Sequence, residues 1–97
     1  MARSFFVHIV ASRQNGTLYI GMTDDLPRRA HEHRTGALPG FTRTYGVTML
    51  VWYEQHPTRA SAFIRERQIK KWSRQWKLDL IERSNPDWND LPTHLLI

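Results

Sequence analysis

Two rhythms of apolar and polar positions alternate along the chain. Residues 4–12, SFFVHIVAS, are dense in β-branched and aromatic side chains and read as a strand. RQNG follows, and its Asn-Gly pair is a strong turn signal. TLYIGM then reads as the returning strand, so the first two elements are expected to form an antiparallel hairpin. VTMLVWYE, residues 47–54, is the third strand. The other rhythm is helical. Leu26 and Ala30 mark the apolar stripe of a helix that Asp24 or Asp25 caps and whose first turn tolerates Pro27. Gly36 stops it after about Thr35.

GALPGFTRTYG, with three glycines and a proline, reads as a loop. HPT breaks the third strand, and Thr58 caps a helix running to about Trp72. Ser73 caps another that runs to about Arg83, and the turn-rich NPDWNDLP ends regular structure. The order is β-β-α-β-α-α. No repeat, low-complexity tract or linker interrupts it, so residues 1–97 read as a single α/β (α+β) domain. Its small three-stranded antiparallel sheet is flanked by helices.

Several polar residues fall in apolar places. Arg29 and His33 are four apart, on one helix face at the edge of the Leu26–Ala30 stripe. Arg29 either lays its stem on the core or faces a site. Glu66 lies between Phe63 and Ile69 at spacings of three. A carboxylate there is costly unless it pairs with an arginine or serves a site. On the hairpin, Phe6, His8 and Val10 share one face, and Thr17, Tyr19 and Gly21 share another. His8 and Tyr19 meet if the register makes those faces coincide, which the sequence does not fix. His31 and His33 form an H-x-H whose side chains diverge on a helix, and a zinc site there is not expected. In a core this small, Trp72 and Trp76 are expected to be packing.

Charge narrows the partners. Fourteen Lys and Arg against nine Asp and Glu give a net charge of +5 and a pI of about 10.2, a balance suited to a polyanion. Arg28, Arg65, Lys70, Lys71, Arg74 and Lys77 are the candidate phosphate-backbone contacts. There are no cysteines, which excludes disulfides, thiolate metal sites and cysteine nucleophiles. No signal peptide and no membrane span is visible, so a cytoplasmic location and no membrane partner are expected.

Taken together, Tyr19-Ile20-Gly21, Arg29 ten residues after the tyrosine, His33 one turn later and Glu66 on the helix after the third strand resemble the GIY-YIG nuclease superfamily. GFTRTYG, RERQIKKW and NPDWNDL further resemble its small stand-alone bacterial members, related to the N-terminal nuclease domain of the excision-repair incision subunit. The similarity covers roughly residues 5–91. It implies a metal-dependent DNA endonuclease of weak sequence specificity, acting in repair or recombination, with RNA open as a substrate. A nucleic-acid-binding module that has lost catalysis is one alternative, and a protein-interaction scaffold is another. A protein partner could deliver it to its target, and self-association is also open. The implied roles are Glu66 for one divalent ion, Mg²⁺ or Mn²⁺, and Arg29 for charge on the phosphoryl oxygens. Tyr19, His8 or the ion's own water would accept the proton, and His33 would orient Tyr19 or the phosphate. Gly21 would permit close approach, and Asn85 is a candidate for the family's late asparagine. The sequence departs from the family pattern at His8, where most members carry a tyrosine.

Overall fold

The computed structural model describes residues 4–93. Its elements are β1 (Phe5–Ala11), β2 (Leu18–Thr23), α1 (Leu26–Thr35), α2 (Phe41–Thr44), β3 (Met49–His56), α3 (Arg59–Lys71) and α4 (Arg74–Ser84). The three strands form one antiparallel sheet in the order β2-β1-β3. Only α2 is additional to the expected order. It is a single turn within GALPGFTRTYG, where glycine and proline letters hid it.

The local signals act as the chemistry requires. At the hairpin, Asn15 takes the left-handed conformation at φ 58°, and the Ser12 amide donates to the Thr17 carbonyl at 3.0 Å. Of the two aspartates, Asp25 is the cap of α1, its carboxylate accepting from the Arg28 amide at 3.2 Å. Gly36 ends that helix at φ 68°, its amide reaching the carbonyls of Glu32 and His33. Thr58 and Ser73 cap α3 and α4 through the amides of Ser61 and Trp76.

The central strand β1 is paired on both edges, and helices cover both of its faces. Val7, Ile9 and Ala11 face one way and join Ile20, Trp52 and the α3–α4 residues Ala62, Ile69, Leu80 and Ile81. Phe6 and Val10 face the other way, against Leu26 and Ala30 of α1 together with Val47 and Leu50. Each such large apolar side chain stabilises the fold by about 1.5–3 kcal/mol. Pairing shifts between Ile9 and Val10, which oppose Trp52 and Leu50, so Val51 is a bulge that keeps both faces of β3 apolar. The segment after α4 straps the layers together. Asp90 accepts from the Leu50 amide at 2.9 Å and pairs with Arg34 of α1 at 2.8 Å.

One packing expectation is corrected. Trp72 does lie against the core, but Trp76 is 60% exposed and meets Trp72 edge-on at 5.8 Å between centroids. It sits in the first turn of α4, a helix whose buried positions are Leu80 and Ile81.

Candidate functional site

Register decides whether the hairpin can build a site, and it does. His8 pairs with Gly21 and Val10 with Tyr19, so His8, Gly21 and Tyr19 lie on one face of the sheet. That is also the face that α1 covers. Gly21 is required there by close approach. A Cβ on it would stand 3.1 Å from the His8 ring and 3.2 Å from the Tyr19 ring. The close approach that Gly21 permits is made by the two rings.

α1 brings its polar edge onto the same face. The His33 ring lies 5.8 Å from His8 and 5.9 Å from Tyr19, centroid to centroid. Arg29, one turn earlier, is 3.6 Å from Glu32. Glu66 comes from α3, which lies against β1 and β2, and it is only 8% exposed. These five side chains line one cavity of about 390 Å³, closed by Leu38, Pro39, Phe41 and Thr42 of the loop around α2. Sequence reasoning missed the loop residues. Their signal was an aromatic pair, Phe41 and Tyr45, held between Gly40 and Gly46.

Glu66 was expected to pair with an arginine or to face a site. It faces the cavity, and its partner is a lysine, Lys70 of the next turn, with Nζ 3.0 Å from Oε1. Burial first, then the charges of His33 and Arg29, push His8 down to about 3, so it is neutral near pH 7. Burial and Arg29 also lower His33, against the opposing pull of Glu32 and the Val47 backbone. Neither nitrogen of the His8 ring has a hydrogen-bond partner among the described residues, the Arg29 Nε has the Glu32 carboxylate at 3.6 Å, and His33 has the Val47 backbone. Buried polar atoms so thinly partnered cost about 1–3 kcal/mol each in an ordinary core. In a cavity they are groups held ready for a ligand that offers oxygens and protons.

Other expected site residues lie apart. The Asn85 amide is buried at the end of α4, donating to the Val51 carbonyl at 3.0 Å and the Asn89 carbonyl at 2.9 Å. It does not line the cavity. Arg74 donates to the carbonyls of Asn15 and Gly16 at 2.8 and 2.7 Å, tying α4 to the hairpin turn. Arg65 pairs with Glu54 at 3.0 Å. Arg28 and Lys71 are exposed, and Lys77 is half-buried. The H-x-H diverges as expected, with His31 exposed and His33 buried. Among the described residues no three histidines, aspartates or glutamates are grouped to hold a metal, and no helix is long and apolar enough to cross a membrane.

Known proteins are similar in sequence and fold. The UPF0213 proteins of Staphylococcus aureus strains Mu3 and N315 are each 37% identical over 79 residues, covering 81% of this chain and 95% of theirs. The solution structure of a UPF0213 protein from Bacillus halodurans superposes with a TM-score of 0.56 at 26% identity, over 94% of this chain and 96% of that one. The model of the GIY-YIG catalytic domain matches residues 4–79, a span that holds Tyr19, Arg29, His33 and Glu66. The chain belongs to the GIY-YIG family, a family of nuclease-type catalytic domains.

Proposed function

We propose that the protein is a divalent-metal-dependent endonuclease that hydrolyses nucleic-acid phosphodiester bonds, with DNA as its first substrate. The observation that carries this reading is the convergence of Glu66, Arg29, Tyr19, His8 and His33 on one cavity, with both buried ring nitrogens of His8 unpartnered among the described residues.

Glu66 is the carboxylate available to an ion. A lone carboxylate suits Mg²⁺ or Mn²⁺, hard ions that keep several waters and complete their shell with substrate phosphate. When bound, such an ion supplies Lewis-acid polarisation of the phosphate and of the leaving oxygen. Lys70 meets Glu66 through Oε1, and the second carboxylate oxygen would serve the ion beside it. Arg29 offers a permanently charged fork to the phosphoryl oxygens as negative charge develops there. His8 and His33, neutral in the cavity, offer ring nitrogens as hydrogen-bond donors or acceptors rather than as cations. A histidine held near pKa 3 is a weak base. A tyrosine hydroxyl takes a proton only after losing its own, so Tyr19, whose ring stands at the mouth of the cavity, would hold and orient the attacking water while the proton passes to solvent.

The test is cleavage of plasmid, nicked and branched DNA with Mg²⁺ or Mn²⁺, stopped by EDTA. Glu66→Ala and Arg29→Ala proteins should lose about 100-fold or more in rate, as for removal of a transition-state donor, while melting near the parent temperature. A second reading, a binding module without catalysis, draws on Lys70 standing against Glu66 and on His8 in the tyrosine's place. It predicts salt-sensitive binding and no metal-dependent cuts on any of these substrates.

A further inference from the structure

The rings around the cavity do not end at its mouth. His8, His33, Tyr19, Phe41 and Tyr45 follow one another at centroid separations of 5.8, 5.9, 6.3 and 4.6 Å. Exposure rises along the row, from 1% and 2% at the histidines to 37% at Tyr19, 48% at Phe41 and 56% at Tyr45. The outer rings are carried by α2, whose i, i+4 spacing brings Phe41 and Tyr45 together. Gly40 enters that turn at φ 90°, a conformation other residues adopt only with strain, and Gly46 leaves it at φ 62°. Val47 anchors it, donating to the Thr42 carbonyl at 2.8 Å while buried in the core. Two large rings are therefore held in water by a tethered turn, where burial gives them little reason to be. Arg43 is exposed between them in sequence, and the chain carries net charge +5.

From this row we infer that Phe41 and Tyr45 are a stacking platform for unpaired bases next to the phosphate in the cavity. The protein's substrate class is then single-stranded nucleic acid, or the unpaired arm of a branched one. The inference rests on the nucleic-acid reading above. Every base has a π-face, so a row of exposed rings beside cations binds strands without reading sequence. A duplex hides those faces in its own stack and cannot use the platform. The charge beside the rings is that of a backbone partner, whereas an apolar peptide would meet Arg43 without a counter-charge.

Binding is best read with Glu66→Gln protein and short labelled oligonucleotides, single-stranded and duplex, in EDTA. The single strand should bind about tenfold tighter or better. Phe41→Ala and Tyr45→Ala should each weaken it by about 5- to 100-fold, the range for loss of one stacked base, and bring the two affinities together. Phe41→Leu, which keeps apolar bulk, should behave like Phe41→Ala, and Phe41→Trp should retain the preference. A 2-aminopurine in the strand should be quenched on binding and not in the double variant. Equal affinity for strand and duplex, or a preference untouched by these changes, overturns the inference. Strand preference with no cleavage by the parent protein would overturn the enzyme reading alone. Cleavage without strand preference would overturn the platform alone.

Discussion

His8 stands between Phe6 and Val10 on the strand that both faces of the sheet bury, with neither ring nitrogen hydrogen-bonded. Two consequences follow. At neutral pH the fold carries two orphaned polar atoms. In acid it carries a site that refuses a proton which the unfolded chain accepts. The unfolded imidazole titrates near pH 6.5 and the folded one near 3, so stability is full above about 6.5 and falls as the pH drops towards 3. The slope from this one group is about 1.4 kcal/mol per pH unit. His8→Phe should therefore melt higher than the parent at pH 7 and lose less stability between about pH 6 and 4, as followed by urea titration at each pH. An unchanged acid slope would show that His8 is not the group responsible. The sequence exposed the oddity of this histidine but not its burial. That depended on β1 being central and on the Gly21 pairing, and neither is written in the local letters.

At the scale of elements, Asn85 shows how a motif position can serve the fold. It closes α4 with its own amide on the Ile81 carbonyl, and its side chain holds both β3 and the Asn85–Asn89 turn. Asn85→Ala would leave the buried Val51 carbonyl without its side-chain donor and should destabilise by about 2–3 kcal/mol. For a chain of this size that is roughly 10–20 °C in melting temperature. Cleavage per folded molecule, measured below the variant's melting temperature, should change little, since Asn85 is outside the cavity. A loss of rate that exceeds the loss of folded protein would return Asn85 to the site. The elements themselves were legible because each boundary is a local chemical event: an Asn-Gly turn, an Asp25, Thr58 or Ser73 cap, a Gly36 stop. α2 was not, because one turn held by flanking glycines and the Thr42–Val47 tie has no period to read. The misplacement of Trp76 has the same origin. An aromatic letter on a helix says nothing of whether another layer lies outside it.

Across the whole molecule the fold separates described Lys and Arg residues that the sequence ran together. Arg34, Arg65 and Arg74 hold Asp90, Glu54 and the hairpin carbonyls, and Lys70 holds Glu66. Arg83 lines a separate groove with Trp72 and Trp76, away from the cavity. Arg29 lines the cavity, Arg28 precedes it on α1, and Arg43 lies on α2 between the two exposed rings in sequence. The net charge therefore overstates the grip on a phosphate backbone. With about three phosphates neutralised, affinity for single strands should fall with salt at a log–log slope of only about −2. Arg28→Glu and Arg43→Glu should each flatten that slope by about 0.7 in fluorescence-anisotropy titrations at several salt concentrations. Arg83→Glu, which makes the same change in net charge, should leave the slope where it was. If all three variants flatten it equally, binding follows overall charge, and the cavity mouth is not the place where the strand lies.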